Sequence, residues 1–243
     1  MKKVFFKNSK DVSLAGVFNF PENKSDSVLL MAHGFTSGKD RPRMLELAKR
    51  IAGNGFVVFR FDFGGHGESE DRIITIKDQV DDFRSAIDFV ISQGYKKVGI
   101  FGSSFGGLCS ILAYSDKVDA MILWAANTKP YFSPLYTEEA KREIEEKGYI
   151  DFGKPSEKFK IGEDYFVGAK NIDQEKLLSG IEIPVLVLHG DEDELVPLQD
   201  SKDALKFLSE GSRLKVIHGA GHGFGEHLDE VGKLIGDWLG ENF

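Results

Sequence analysis

The apolar positions of this chain change period along its length. Residues 4–6 and 14–20 are short segments in which apolar and polar residues alternate, as they do in an antiparallel hairpin with one face buried. From residue 28 the pattern alters. Residues 28–32 are a compact apolar run, 44–51 repeat their apolar residues at helical spacing, 56–61 read as a strand, and 76–91 return to the helical period. A short apolar strand at 98–101 follows, then a helix bearing Leu108, Ile111, Leu112 and the small Ala113, then a strand at 118–124. Strands that alternate with helices predict a mostly parallel sheet covered on both faces, because a parallel crossover needs a helix to return the chain. Strands buried on both sides carry unbroken apolar runs rather than alternation.

Between residues 125 and 181 this rhythm breaks. A charged helical stretch at 137–147 lies among loops that carry Tyr131, Phe132, Tyr136, Tyr149, Phe152, Phe159, Tyr165 and Phe166. A structureless connection of that length does not suit a compact domain, so residues 125–181 are expected to form a small inserted cap. Residues 1–124 and 182–243 then make up the core. Regularity resumes with a strand at 185–188, a helix near 200–208, a strand at 213–217 and a last helix at 227–239.

Composition narrows the classes of function. The 243 residues are enough for one sizeable core, and no apolar run approaches the roughly 20 residues that cross a bilayer. The opening MKKVFFKNSKD has too short an apolar segment for a secretory signal, so a cytoplasmic location is expected. A net charge of -8 with scattered basic residues argues against nucleic acid and against stable association with an anionic membrane. Cys109 is the only cysteine, which removes an intramolecular disulfide and a cysteine-based metal site. The six histidines show no pair at ligand spacing with a supporting carboxylate, so neither metal nor cofactor is expected. The expected partner is a small molecule, bound by a monomer or a homodimer.

The candidate chemistry centres on KKVGIFGSSFGGLCSILAY. Ser104 lies between Gly102 and Gly106, directly after an apolar strand and directly before a helical pattern. A serine on so sharp a strand-to-helix turn needs residues without side chains two positions to either side, and its hydroxyl then projects above the sheet edge. The Phe105 amide at the start of the helix is placed to stabilise a developing oxyanion. A serine hydroxyl is a poor nucleophile without a base, and the base needs an orienting group. His222, in the glycine-rich HGAGHGFGEH after the last expected strand, can reach across the carboxyl ends of the sheet, where ligands bind in open α/β folds. The acid is expected from VLVLHGDEDELVP, but spacing does not rank Asp191, Glu192, Asp193 and Glu194.

Together MAHGFTSGKD, FRFDFGGHGES, GSSFGG, LHGDEDELVP and GAGHGF resemble the α/β-hydrolase superfamily of serine esterases, particularly its cinnamoyl or feruloyl esterases and monoacylglycerol-lipase-like members. The resemblance spans the chain outside the middle insert. It implies an eight-stranded, mostly parallel sheet with helices on both faces and a small cap. Laid on residues 189–197, the family's HGxxDxxVP pattern implies Asp193 as the acid, in the chain order Ser104, Asp193, His222. It also implies a second oxyanion donor, the Phe35 amide, from the loop HGF, in which Gly34 allows close approach of substrate. His33 and His66 read as structural loop residues. The implied activity is hydrolysis of small to medium acyl esters, hydroxycinnamoyl esters preferred; a monoacylglycerol lipase or an amide hydrolase would use the same residues.

Overall fold

The computed structural model describes residues 1–131 and 133–243. It opens with β1 (Lys2–Lys7) and β2 (Ser13–Asn19), paired antiparallel as the alternation predicts. There follow β3 (Ser27–Ala32), α1 (Pro42–Gly53), β4 (Val57–Phe61), a two-residue β5 (Ile73–Ile74), α2 (Ile76–Ser92), β6 (Lys97–Ser103), α3 (Phe105–Ala113) and β7 (Ala120–Trp124). The middle segment contains α4 (Glu138–Lys147), β8 (Tyr149–Lys154), β9 (Glu157–Gly162), α5 (Glu163–Lys170) and α6 (Gln174–Leu178). The chain ends with β10 (Val185–Gly190), α7 (Leu198–Ala204), β11 (Arg213–Ile217) and α8 (Leu228–Asn242). A 3-10 turn over Leu205–Phe207 continues α7, which accounts for the helical pattern extending toward residue 208.

Eight strands form one sheet in the order β1-β2-β4-β3-β6-β7-β10-β11. The pairs from β4 to β11 are parallel, and only β1/β2 and β2/β4 are antiparallel. Side chains along each strand feed two cores in turn. On β3, Val28, Leu30 and Ala32 join the core beneath α2 and α3, whereas Leu29 and Met31 face the one beneath α1 and α8. That two-sided burial is why the strand reads as a continuous apolar run. Helix α1 supplies Met44, Leu47, Ala48 and Ile51 at the spacing of one helical face, and α8 supplies Val231, Ile235, Trp238 and Leu239 against it.

The segment over 125–181 contains, as α4, the charged helix expected at 137–147, together with strands that the sequence pattern did not show. Strands β8 and β9 pair antiparallel, and β9 pairs in parallel with β5, making a second sheet of three strands. Helix α4 begins with Thr137, whose hydroxyl accepts from the Ala140 amide, and ends on Gly148 at φ 86°, a left-handed stop that favours glycine. Phe159 and Phe166 are buried in the core, and Tyr136 stacks on Phe166 with ring centroids 4.9 Å apart. Phe132 lies outside the described residues.

Candidate active site

Ser104 joins β6 to α3 with φ 53° and ψ -117°, a conformation an L residue adopts only under strain. Its backbone is clamped by the end of β7: the Ser104 amide donates to the Trp124 carbonyl at 2.8 Å, and the Asn127 amide donates to the Ser104 carbonyl at 3.3 Å. The flanking glycines are demanded by close approach. A Cβ on Gly102 would lie 2.5 Å from the Gly106 carbonyl oxygen, and one on Gly106 would lie 2.3 Å from the His33 carbonyl oxygen. Gly106 therefore lets the start of α3 pack against the loop after β3. The Ser104 hydroxyl donates to Asn127 Oδ1 at 3.2 Å; among the described residues this, rather than a bond to His222, is its hydrogen bond.

His222 lies in the loop after β11, with its side chain 22% exposed, and its Nδ1 lies 2.8 Å from Asp193 Oδ2. Asp193, in the loop after β10, is fully buried at its side chain. Its Oδ1 accepts from the Leu195 and Val196 amides at 2.8 and 2.9 Å. Burial alone would raise the carboxyl, but His189, His222 and the two amides outweigh it and hold Asp193 well below the ordinary carboxylate range. An ionised Asp193 accepts a hydrogen bond from His222 Nδ1–H, which keeps the ring proton on Nδ1 and leaves Nε2 as the ring's proton acceptor. Asp191 is committed elsewhere: its carboxylate takes His218 Nδ1 and the Gly219 amide, both at 2.7 Å. Glu192 and Glu194 are exposed. Trp124 ties these loops together, since its indole N–H donates to the His222 carbonyl at 2.9 Å while its ring stacks on Phe224.

The loop after β3 brings Gly34 and Phe35 to the same place, and a Cβ on Gly34 would lie 3.4 Å from Ser104 Cβ. Among the described residues no hydrogen bond engages the Phe35 or Phe105 amide. His33 is buried, with Nδ1 2.8 Å from the Gly34 carbonyl and Nε2 accepting from the Phe63 amide at 3.3 Å. Burial pushes its pKa down to about 4, so it is a neutral brace between two loops. His66 is buried against it at 4.8 Å between centroids and is pushed down to about 3 by the same cause.

Residues 23–144, half of the chain, match the family described as Hydrolase_4, serine aminopeptidase, S33. The chain belongs to the Hydrolase_4 family. Serine hydrolase BPHL of Homo sapiens is 29% identical to it over 237 residues, which cover 88% of this chain and 79% of the human protein. A monoglyceride lipase homolog of Monkeypox virus is 27% identical over 239 residues, covering 86% of each chain. Among solved structures, Est1E from Butyrivibrio proteoclasticus with ferulic acid bound superposes with a TM-score of 0.84 at 22% identity, covering 98% of both chains. This Hydrolase_4 member thus has the α/β-hydrolase fold expected from its motifs and is a serine hydrolase of esterase type.

In this hydrolase Ser104 and His222 line one cavity of about 730 Å³. Phe35, Phe105 and Trp124 contribute aromatic walls from the core, and Tyr131 and Tyr165 contribute theirs from the middle segment. Tyr165 stacks on Phe35 at 4.4 Å and meets Phe105 at 4.9 Å, so the middle segment packs directly on the two residues whose amides are free. Among the lining residues that escaped sequence reasoning are the polar Asn127, Arg41 and Arg43. No local motif marks them. Asn127 follows β7, Arg41 precedes α1 and Arg43 lies on its first turn, so their approach to the cavity depends on the packed sheet.

An ion cluster around a buried lysine seats the loop after β3 in the hydrolase. Lys39, 1% exposed, reaches Asp62 at 2.8 Å, Glu68 at 2.7 Å and Asp40 at 2.9 Å, and Asp40 also pairs with Arg60. Burial by itself would lower the Lys39 ammonium, but the bonds to Asp62, Glu68 and Asp40 outweigh it and raise it above the ordinary lysine value. FDFGGHGES thus serves as a turn that supplies Asp62 and Glu68 to this lysine. Lys39→Met leaves the Asp62 carboxylate buried without its cation, and should cost about 3–5 kcal/mol in denaturant unfolding. Adding Asp62→Asn should recover part of that loss; additive losses in the double variant would disprove the coupling.

Proposed function

We propose that this hydrolase is a carboxylesterase acting on small to medium acyl esters through an acyl-enzyme, with hydroxycinnamoyl esters such as feruloyl esters preferred. His222 Nε2 takes the Ser104 proton as Oγ attacks the ester carbonyl, and Asp193 stabilises the imidazolium. The Phe35 and Phe105 amides stabilise the tetrahedral oxyanion. His222 then returns its proton to the leaving alkoxide, and water repeats the sequence to release the acid. The observation that carries this reading is a strained serine and an imidazole held by a buried carboxylate on one cavity. Residues 125–181 would act as its cap, since Tyr165 packs on Phe35.

The hydroxycinnamoyl preference is supported by the aromatic walls and by the fold shared with the ferulic acid-bound Est1E. An aminopeptidase, the activity in the family's description, needs an anion for the substrate's α-ammonium. Among the described residues the cavity presents no Asp or Glu side chain, and its charged lining residues are both arginines. That favours esters. The test compares kcat/KM for methyl ferulate, short and long acyl esters, a monoacylglycerol and an aminoacyl amide. The highest value is expected for methyl ferulate; a long-chain monoacylglycerol or the amide in first place would reject the preference.

A further inference from the structure

The charged lining of the cavity is opposite in sign to the chain as a whole. On a protein of net charge -8, the ionisable side chains among the described residues of the cavity wall, besides His222, are Arg41, Arg43, Tyr131 and Tyr165. Arg41 is engaged by Glu157 of β9 at 2.5 Å. Arg43 differs. It stands exposed on the first turn of α1, a turn without acidic residues. Glu46, one helical turn along, is engaged by Arg50 at 2.9 Å and Lys49 at 3.8 Å. Among the described residues no carboxylate pairs with the Arg43 guanidinium.

Its position is specific. The guanidinium lies against Gly223, the residue after His222, so closely that a Cβ built there would fall 1.7 Å from Nη1. In the proposed mechanism His222 delivers its proton to the leaving oxygen, so the alcohol part of the ester must sit beside His222. A guanidinium packed on the next residue therefore faces the alcohol, and its fork of N–H donors matches a carboxylate.

We infer that Arg43 is a specificity residue that selects esters whose leaving alcohol carries a carboxylate; this rests on the esterase reading above. The interaction is made equally before and in the transition state, so it should act on KM more than on kcat.

The test uses 4-carboxyphenyl acetate and its neutral counterpart 4-carbamoylphenyl acetate, each rate normalised to alkaline hydrolysis. The wild-type chain should favour the anionic ester by about fivefold or more in kcat/KM at low salt, and the preference should shrink in 1 M salt. Arg43→Lys should retain part of it, and Arg43→Glu should reverse it. Equal rates for the two esters, or a preference that survives in Arg43→Glu, would overturn the assignment. A preference found only on the acyl side, for phenyl hemisuccinate over phenyl succinamate, would overturn the placement on the alcohol. Turnover of neither ester, with no fluorophosphonate labelling of Ser104, would instead reject the esterase reading and this inference with it.

Discussion

Ser104→Ala should lower ester turnover by roughly four to six orders of magnitude and abolish covalent labelling by a fluorophosphonate probe. Without Oγ there is no atom to carry the acyl group, so only the binding and oxyanion contribution of the cavity remains. The loss should be chemical and not a loss of folding. The backbone at 104 is held by the Trp124 carbonyl and the Asn127 amide, which a side-chain change does not touch. Alanine also keeps the unfavourable φ of 53°, whereas Ser104→Gly should relieve it and raise stability by about 1 kcal/mol or more. Near-wild-type turnover in Ser104→Ala would reject the serine as nucleophile.

Asp193→Asn should reduce kcat by about 10⁴, far more than Asp191→Asn. The reason lies in the local bonding. Oδ1 of Asp193 accepts from two backbone amides, so in an asparagine that position must remain the oxygen. The side-chain NH2 is then directed at His222 Nδ1, 2.8 Å away, and a donor facing that atom forces the ring proton onto Nε2. An Nε2–H cannot accept the serine proton. Asp191 serves His218 and Gly219 at the surface, so its substitution should change kcat less than about threefold. Paired measurement of the two variants decides, and the reverse order would move the acid by two positions.

The four acidic residues in succession show where sequence reading stops. Each follows the same strand at nearly the same distance, so periodicity treats them alike, and the family pattern alone favoured Asp193. In the folded chain they part: one carboxylate is buried with two amides and His222, one turns to His218, and two face solvent. The middle segment is a second case. Strand β9 pairs with Ile73 and Ile74 of β5, more than 80 positions earlier, so no local pattern marks it. Its neighbour β8 is only partly buried and interrupted by Gly153, which weakens alternation further. Tyr165 and Phe166 are adjacent in sequence yet serve differently: Tyr165 lines the cavity, whereas Phe166 stacks under Tyr136.

By itself the sequence determined the alternating architecture, the strand-to-helix turn at Ser104 and the order in which serine, acid and histidine follow one another. These depend on local chemistry: burial on one or two faces sets the period, and the tight turn admits only glycine two positions to either side of its serine. Only the tertiary structure decided that His222 meets Asp193, that Asn127 reaches the Ser104 hydroxyl, that Lys39 lies buried among three carboxylates, and that Arg43 rests on Gly223. Each brings together side chains from separate segments of the chain, and the distance between those segments is set by how the sheet, its helices and the middle segment pack.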